Sequence, residues 1–513
     1  MLVAALLVLT GCAGLPERRS IEIPVSSAIV PSAESRLAIT AHQALVRAAS
    51  ASAFRLLPIG TVTYETLIEL IAQARQSLDI QTYVLHGDAS GALLLRSLRD
   101  AAARGVRVRM LIDDLHADTA EQLLSDVAAF EHVEIRLVNP FVRMRGSPAA
   151  KMASSLNELS RVNHRMHNKL FVADNALAVI GGRNIGDRYY MRATEGCNFI
   201  DLDLLAAGAV VDQMSASFDA YWNSDFAWPI DAIVIPSGDR AARRSNFDLA
   251  VSSLVMFPPD QGMPERLQRY AAVPEELRSG VLELTGAEAE VVADPVDKLD
   301  GTRINSREGT VRAFIATAGL SAKNEIFTIS PYYIPGKIGI ESLRQNHRSG
   351  VRHRVLTNTL ASTDVPVVHA GYLAYRREML DLGMEIYELS PTFARQEQAL
   401  GRFGASCASL HMKAIVFDQA DVFLGSLNLD GRSEQYNTEI GVMLRSTALT
   451  REILSLVDFE SSAYRVEVGP TGQLRWVNRR QGFETILDEE PEAGAGRSLM
   501  SRILGLMIPH DWL

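Results

Sequence analysis

The chain has little cysteine and no excess of positive charge. Its 513 residues include three cysteines, Cys12, Cys197 and Cys407, too few and too scattered for a disulfide framework or a cysteine-based zinc site. We therefore expect Cys197 and Cys407 to be reduced or simply buried small residues. A net charge of −10 argues against a dedicated nucleic-acid-binding protein, although a local basic groove is compatible with it. With 47% hydrophobic residues, a chain of this length should form two or more globular domains.

The apolar N-terminus is short. The stretch MLVAALLVLTGC has twelve residues, too few to span a bilayer, and no Lys or Arg precedes it. Its end, LTGC, resembles a bacterial lipobox, so we expect residues 1–12 to be a lipoprotein signal peptide cleaved before a diacylated Cys12. An ordinary apolar N-terminus is the alternative. Because Ala13 replaces the aspartate that retains enteric lipoproteins in the inner membrane, we favour an outer-membrane anchor facing the periplasm of a bacterial cell envelope.

Helices alternating with short β-rich runs organise the rest of the chain, which predicts an α/β layer structure. The order recurs: SGVRHRVLT late in the chain echoes RGVRVRMLI early in it, and we interpret this as an internal duplication. The predicted parts are a tether (13–40), a first half (41–228), a connection with some helix (229–300), a second half (301–478), and an acidic linker with an amphipathic helix (479–513).

Each half contains one histidine, lysine and aspartate with the spacing H-x-K-x(4)-D. They lie in RMHNKLFVADNALAVIGGRNIGDR, at 165–188, and in SLHMKAIVFDQADVFLGSLNLDGRS, at 409–433. A shift of 244 residues superposes His167 on His411, Lys169 on Lys413, Asp174 on Asp418, Gly181 on Gly425, Asn184 on Asn428 and Arg188 on Arg432. One such motif is weak evidence, but two in register inside a duplication indicate a shared catalytic site.

The spacing suits phosphoryl transfer. Residues two apart share one face of a strand, so His167 and Lys169 project together while Leu170 and Val172 face a core. Asp174 is an odd number of residues from His167 and lies beyond the expected end of the strand, so it does not share the face of His167 and Lys169. We therefore give it an orienting or structural part in the motif rather than contact with substrate.

The two motifs would form one site. One histidine can attack phosphorus, while the other protonates the leaving alkoxide and later deprotonates the acceptor hydroxyl. The lysines, together with Asn184 and Asn428, can hold the phosphoryl oxygens. This chemistry requires no metal and no cofactor. His164 and His167 have the spacing of a metal pair but no cluster of further ligands around them.

These motifs resemble the phospholipase D superfamily, whose signature is the paired H-x-K-x(4)-D with downstream Gly and Asn. Within it, the chain is most similar to bacterial cardiolipin synthases of the C type, through HRMHNK, GGRNIGD, LTNTLASTDVPVVHAGYLAYRREML, IYEL and IPHDWL. The resemblance covers nearly all the chain from about residue 55. It implies two duplicated α/β/α sandwich halves packed with pseudo-twofold symmetry around one active site, and a phosphatidyl-histidine intermediate.

The resemblance also implies residue roles. An acidic residue on a following strand orients each catalytic histidine, which points to Asp201 and Glu439, with Asp203 as the alternative for the first. His167 would be the nucleophile and His411 the acid. The near symmetry of the motifs leaves the reverse assignment open.

The leading functional hypothesis is a phosphatidyltransferase of the cardiolipin synthase type. It would pass a phosphatidyl group to phosphatidylglycerol, from either phosphatidylglycerol or phosphatidylethanolamine. The alternative is a phospholipase D that hydrolyses phospholipids to phosphatidic acid, and a nuclease is less favoured. The expected partners are phospholipids and a membrane but no nucleic acid, and the need for a partner protein stays open.

Two further segments have an ambiguous interpretation. Residues 136–169 carry seven basic residues against the single acidic Glu158, and they either dock on anionic lipid or form a loop folded over the site. The C-terminal amphipathic helix either packs on the core or contacts the membrane.

Overall fold

The computed structural model covers most of both halves. It describes residues 15–141, 145, 148–155, 158–258, 263, 265–301, 308–396, 406–456, 459–480, 482–494, 496–497 and 500–501. The predicted signal peptide with Cys12, and residues 502–513 of the predicted C-terminal helix, lie outside the described residues.

The first half contains ten strands and seven α-helices among the described residues. The strands are β1 (Ser52–Leu57), β2 (Ser77–Val84), β3 (Arg107–His116), β4 (Val133–Val138), β5 (Arg165–Met166), β6 (Leu170–Ala173), β7 (Leu177–Gly181), β8 (Cys197–Ile200), β9 (Asp203–Gly208) and β10 (Ala227–Pro229). The helices are α1 (Arg36–Ala48), α2 (Gly60–Gln73), α3 (Ala89–Ala103), α4 (Glu121–Val127), α5 (Pro148–Ser154), α6 (Leu159–Val162) and α7 (Ala209–Trp222). Helices α8 (Ile230–Ile233) and α9 (Arg240–Ser252) follow in the predicted connection.

The connection and the second half follow. The connection adds α10 (Gln268–Ala271), α11 (Val273–Ser279), β11 (Thr285–Gly286) and β12 (Glu288–Ala293). The later strands are β13 (Glu325–Ile329), β14 (Arg352–Asn358), β15 (Glu385–Leu389), β16 (Cys407–Leu410), β17 (Ala414–Phe417), β18 (Asp421–Gly425), β19 (Asn437–Thr438), β20 (Ile440–Arg445), β21 (Ala463–Val468), β22 (Leu474–Arg480) and β23 (Phe483–Leu487). The later helices are α12 (Val311–Ser321), α13 (Gly336–Arg348), α14 (Pro366–Asp381), α15 (Pro391–Gln396), α16 (Gly431–Gln435), α17 (Thr447–Leu456) and α18 (Phe459–Ser462).

Local sequence explains the repeated helix–strand unit. The side chain of Asp88 caps α3 by accepting a hydrogen bond of 3.1 Å from the Gly91 N–H. After the helix, Gly105 has φ +90°, a left-handed conformation that glycine adopts without strain, and the chain turns directly into β3. Gly350, with φ +79°, makes the equivalent turn from α13 into β14.

The two large sheets share one central strand order, which confirms the predicted duplication and fold class. The first sheet contains β4-β3-β2-β6-β7-β9 and the second contains β15-β14-β13-β17-β18-β20. In each, the first three strands are parallel and the rest antiparallel. The edges differ, because β10, β1 and β11 extend the first sheet while β12 and β21-β22-β23 extend the second.

The main core lies between the two sheets. Leu170 and Val172 from the first half belong to the same buried cluster as Ala414 and Val416 from the second. This confirms that Leu170 and Val172 face a core. The opposite face of the first sheet, which includes Phe171, packs in a separate cluster with α2 and α3. The halves therefore meet face to face over shared apolar surface.

The connection is built into both sheets. Within its described residues, β11 pairs with β1 of the first sheet and β12 pairs with β20 of the second. The two strands are separated only by Ala287, so this short stretch joins one sheet directly to the other.

The predicted tether is docked rather than free where the structure describes it. Residues 17–35, which we call the N-terminal strap, run along the first half. Arg136 donates a hydrogen bond of 2.7 Å to the Pro24 carbonyl, and the buried Arg109 donates one of 2.9 Å to the Ser26 carbonyl. The strap ends at α1, where Ser35 caps the helix. The strap is held by hydrogen bonds from Arg109 and Arg136 and not by a periodic row of apolar residues. The hydrophobic pattern of the sequence therefore could not predict this docking.

Candidate active site

Two short parallel ribbons cross between the halves and lead into the site. Strand β5 pairs with β19, and β16 pairs with β8. Each ribbon therefore joins one strand from each half. Beyond the ribbon ends, the His167 N–H donates to the Thr438 carbonyl at 2.9 Å, and the His411 N–H donates to the Ile200 carbonyl at 2.7 Å. His167 therefore lies next to Glu439, the residue that follows β19, and His411 lies next to Asp201, the residue that follows β8.

Those opposite residues are the two predicted acids. His167 Nδ1 lies 2.8 Å from Glu439 Oε2, and His411 Nδ1 lies 2.6 Å from Asp201 Oδ2. All four side chains are buried. Each acid thus contacts the histidine of the opposite half. The expected pairing, in which each acid orients the histidine that precedes it in its own half, was therefore wrong. Because Nδ1 faces a carboxylate, the neutral ring carries its proton there and presents the Nε2 lone pair to substrate.

Asp203, the alternative acid, has a different partner. Its carboxylate pairs with Arg183 at 2.8 Å, and Arg183 also donates a hydrogen bond of 2.6 Å to the Asp201 carbonyl. Asp203 therefore holds the segment that carries Asp201 rather than a histidine. Of the two aspartates, Asp201 is the one whose carboxylate contacts a histidine, and that histidine is His411.

Glu439 is held by three neighbouring groups. Its carboxylate accepts hydrogen bonds from Ser426 Oγ at 2.5 Å and from Ser433 Oγ at 2.8 Å. Its backbone N–H donates to Asp294 Oδ2 at 3.0 Å, and that carboxylate also accepts from Lys298 Nζ at 2.7 Å. Asp294 and Lys298 come from the connection and were missed by sequence reasoning, since no motif marks them.

The two motif lysines are buried beside their histidines. Lys169 Nζ donates a hydrogen bond of 2.7 Å to the His167 carbonyl, and Lys413 Nζ donates to the His411 carbonyl. Burial lowers the pKa of Lys169 to about 7, and burial also lowers the pKa of Lys413. A bound anion would favour the protonated, positively charged form of both lysines, as expected of residues that bind phosphate.

Charged groups of both motifs surround His167. Burial lowers the pKa of His167 well below its usual value, and the charges of Lys169, Lys413 and His411 lower it further. Burial lowers the pKa of His411 to about 4, although the adjacent Asp201 acts in the opposite direction. Burial opposes ionisation of Asp201, but the neighbouring His411 and Lys413 bring its pKa below the usual value. Burial thus favours the neutral form of both histidines, whereas the cationic groups around Asp201 favour its carboxylate form.

Aromatic rings pack against both histidines. The Tyr83 ring lies 4.8 Å from the His167 ring, and Lys169 Nζ lies 5.4 Å from the same tyrosine. Phe199 and Tyr189 lie 4.9 Å and 5.3 Å from the His411 ring. These contacts restrict ring rotation and exclude water. Sequence reasoning missed Phe199 and Tyr189, which are marked in the sequence only by lying near Asp201 and Asn184.

The predicted phosphate-binding asparagines differ in their surroundings. Asn184 accepts a hydrogen bond from the Val84 N–H at 3.2 Å and donates one of 2.9 Å to the Tyr189 hydroxyl. It therefore helps to hold the tyrosine that packs on His411. Asn428 is buried, and its Oδ1 has no hydrogen-bond partner among the described residues. Phosphate binding by either residue stays a prediction.

The motif aspartates lie away from the histidines, at the far ends of the strands. Asp174 accepts hydrogen bonds from the N–H groups of Arg75, Gln76 and Ser77 at 2.8 to 3.1 Å, and from Ser35 Oγ at 2.7 Å. Both aspartates have positive φ, +50° and +52°. Asp418 binds the N–H groups of three residues in the same way, Lys323, Asn324 and Glu325. Their part in the catalytic motif is structural, since they fix the turn that precedes β2 or β13.

The expectation for Cys197 and Cys407 was wrong, because the two form a disulfide. They are 210 residues apart, so spacing along the chain gave no hint of the pairing. The β8–β16 ribbon places them directly opposite each other across the halves. Cys12 lies outside the described residues.

The basic segment is mostly neutralised internally. Arg145 pairs with Asp114 at 2.5 Å, the buried Lys151 lies 3.6 Å from the same aspartate, and Arg165 pairs with Asp113 at 3.2 Å. Because these basic side chains are paired with aspartates inside the protein, the described part of the segment is better interpreted as a loop folded over the site than as a surface that docks on lipid. His164 is also engaged internally, since its Nδ1 lies 2.6 Å from the Ser160 carbonyl.

The described ranges contain neither a candidate membrane-spanning helix nor a candidate metal site. No helix there is long and apolar enough to cross a membrane. Within the same ranges, no three His, Cys, Asp or Glu side chains are grouped as a metal site requires.

Comparisons with known proteins agree with the geometry. The family model described as "Cardiolipin synthase, PLD-like domain" matches residues 67–222 and 319–459, together more than half of the chain. The chain is 35% identical to cardiolipin synthase C of Escherichia coli K12 over 455 residues, which is 86% of this chain and 92% of that protein. It is 31% identical to an uncharacterized protein of Helicobacter pylori strain 26695, over 78% of each chain.

Among solved structures, the fold is similar to that of phosphatidylserine synthase from Haemophilus influenzae Rd KW20. The TM-score is 0.58 at 12% identity, over 92% of this chain and all of that one. At this identity the likeness shows the fold alone. The family match and the relative of 35% identity show more: the chain is an enzyme of the phospholipase D superfamily and belongs to its cardiolipin synthase family.

Proposed function

We propose that this enzyme is a phosphatidyltransferase of the cardiolipin synthase type. It transfers a phosphatidyl group from one phospholipid to the hydroxyl of phosphatidylglycerol through a phosphatidyl-histidine intermediate. The observation that carries the proposal is the crossed pair of buried His–carboxylate contacts, His167–Glu439 and His411–Asp201, in one site with two buried lysines. The name of the Escherichia coli relative supports the choice of lipid chemistry.

In the first step, His167 Nε2 attacks the donor phosphorus. The new P–N bond forms as the P–O bond to the donor head group breaks, and His411 gives its proton to the departing oxygen. Burial lowers the pKa of His167 and so favours the neutral ring that a nucleophile needs. His411 suits the acid because Asp201 is ionised and stabilises the imidazolium. The negative phosphodiester raises the pKa of His411 when it binds, so substrate brings the acid into its working form.

In the second step, an acceptor hydroxyl replaces the departed head group. His411, now neutral, takes the hydroxyl proton while the oxygen attacks phosphorus and the P–N bond breaks. His167 is then free and His411 is again protonated, so the cycle balances. Lys169 and Lys413 neutralise the phosphoryl oxygens through both steps.

Product analysis with defined lipids tests the proposal. The purified protein in phosphatidylglycerol vesicles, with and without phosphatidylethanolamine, should form cardiolipin, and the dependence on each lipid identifies the donor. The matched controls are His167→Ala and His411→Ala, which should lose turnover by at least about 100-fold. Phosphatidic acid without cardiolipin would instead establish hydrolysis, in which water takes the place of the acceptor hydroxyl. Protein quenched in a neutral denaturing detergent, which spares the acid-labile P–N bond, should carry the labelled phosphatidyl group on the peptide that contains His167.

The proposal extends to placement in the cell envelope. Lipidation at Cys12 would leave about 20 Å of extended chain before Arg18, where the strap docks by donating a hydrogen bond of 2.8 Å to the Ser224 carbonyl. The body would thus be held close to the membrane that contains its substrates. The Cys197–Cys407 disulfide supports an oxidising compartment such as the periplasm. An outer-membrane anchor is favoured by Ala13.

Radiolabelled palmitate and membrane fractionation test this placement. The wild type should carry label and sediment with outer membranes, whereas Cys12→Ala should lose the label. A wild type without label, or a Cys12→Ala protein that fractionates as the wild type does, contradicts the anchor without affecting the enzymatic proposal.

A further inference from the structure

We propose that the Cys197–Cys407 disulfide is a positioning device for the His411–Asp201 pair, so that breaking it slows the proton transfers of His411 more than the attack by His167. The inference rests on the proposed function. It goes beyond that function because it gives Cys197 and Cys407 a role in positioning His411 for its proton transfers.

The argument begins with the ribbon that leads into the pair. Cys197 stands opposite Cys407 at one end of the β8–β16 ribbon, and Ile200 stands opposite Leu410 at the other. Asp201 and His411 follow immediately, so each lies four residues beyond its cysteine. The N–H groups of His411 and Met412 both donate to the Ile200 carbonyl, at 2.7 and 3.0 Å. The disulfide therefore fixes the register of the ribbon whose far end forms the His411–Asp201 hydrogen bond.

The other ribbon has no covalent link at the equivalent place. The residues four before His167 and Glu439 are Asn163 and Gln435. Asn163 Oδ1 accepts a hydrogen bond of 3.0 Å from Arg432. The β5–β19 ribbon has two residue pairs, whereas the β8–β16 ribbon has four. The pseudo-twofold symmetry of the site is thus broken at these positions, with the covalent restraint on the His411 side alone.

The restraint matters because His411 and Asp201 belong to different halves. A hydrogen bond of 2.6 Å between them tolerates little sliding of one half on the other, and a displacement on the order of 1 Å can cost about 100-fold in rate. Both cysteines are partly exposed, so a dithiol can reach them. Reduction transfers two electrons and two protons from the dithiol, breaks the S–S bond and leaves two thiols, while the dithiol closes to its own disulfide.

A change of leaving group separates positioning from general stabilisation. Phosphatidylglycerol needs a proton for its departing alkoxide, but phosphatidyl-p-nitrophenol releases a stable phenolate without one. The assay compares phosphatidylglycerol turnover with the first-turnover burst of p-nitrophenol. It uses oxidised wild type, wild type reduced with dithiothreitol, and the Cys197→Ser, Cys407→Ser double variant. Thiol titration verifies the redox state, and thermal unfolding verifies that each protein is folded.

We expect reduction or the double variant to lower phosphatidylglycerol turnover by about tenfold or more, and the p-nitrophenol burst by less than about threefold. Dithiothreitol should have no further effect on the double variant, and reoxidation should restore the wild type. Asn163→Ala is the matched control on the other ribbon. It should affect both substrates alike, since His167 attacks in both.

Two results would overturn the inference while leaving the proposed function intact. If phosphatidylglycerol turnover and the p-nitrophenol burst fall by the same factor, the disulfide stabilises the fold in general and does not specifically position His411. Unchanged phosphatidylglycerol turnover after verified reduction would show that the ribbon holds its register without it. If the oxidised wild type acts on neither lipid, the proposed function fails and this inference fails with it.

Discussion

His167 and Glu439 are 272 residues apart in the chain and lie 2.8 Å apart in the site. Each half therefore supplies the histidine of one pair and the carboxylate of the other. Neither half holds a complete pair, so catalysis depends on the apolar interface between the sheets as much as on the motifs. The arrangement explains why the main core is shared by the two halves.

The crossed pairing predicts distinct defects for two conservative variants. Glu439→Gln removes the carboxylate that holds His167, so it should slow formation of the covalent intermediate by about 100-fold or more. Asp201→Asn acts on His411, so it should slow the reaction with phosphatidylglycerol by a similar factor but spare the p-nitrophenol burst. Rapid-quench measurement of the intermediate and of the burst distinguishes the two variants. If Asp201→Asn suppresses the burst and Glu439→Gln does not, the assigned roles of the histidines are reversed.

For phosphatidyl-p-nitrophenol, whose leaving group needs no proton from His411, the pH dependence of kcat/KM should be bell-shaped with its optimum near pH 7. Burial raises the pKa of Glu439 to about 7 and lowers the pKa of Lys169 to about 7. The active form needs an ionised Glu439 and a protonated Lys169. Activity is therefore lost as falling pH protonates the carboxylate and as rising pH deprotonates the ammonium. Initial rates at subsaturating phosphatidyl-p-nitrophenol between about pH 5 and 9 measure both limbs.

Lys169→Arg provides the control for the alkaline limb, since a guanidinium stays protonated throughout that range. The variant should lose the decline above pH 7 while keeping the acid limb. An alkaline limb that persists unchanged in Lys169→Arg would assign that limb to another group.

The sequence predicted the motifs but not how they meet. The shift of 244 residues placed His167 with His411 and Asn184 with Asn428 correctly within the repeat, because strand parity and glycine positions survive in both halves. The crossed acids, the disulfide and the role of Lys298 depend on contacts between distant segments, which have no local period. Asp203 and Asp201 are alike in sequence context, and only the position of Arg183 separates them.

The motif aspartates should contribute to stability rather than to chemistry. Asp174→Ala leaves the N–H groups of Arg75, Gln76 and Ser77 without their carboxylate, and we expect the free energy of unfolding to fall by about 1–3 kcal/mol or more. Asp418→Ala should cost less, because Asp418 is partly exposed and water can replace it. Denaturant unfolding measures both. For folded protein, kcat should stay within about threefold of wild type, and a loss near that of His167→Ala would show that the aspartate takes part in catalysis.

Lys298 should act on catalysis through Glu439. It neutralises Asp294, which binds the Glu439 N–H, and its positive charge also lowers the pKa of Glu439. Lys298→Met removes that charge, so the pKa of Glu439 should rise and the acid limb of the pH profile should move to higher pH, with kcat lower by about tenfold. Lys298→Arg keeps the charge and should leave the limb in place. If Lys298→Met instead lowers the rate equally at every pH and the acid limb does not move, Lys298 contributes only to packing. The same result would show that the acid limb does not report the ionisation of Glu439.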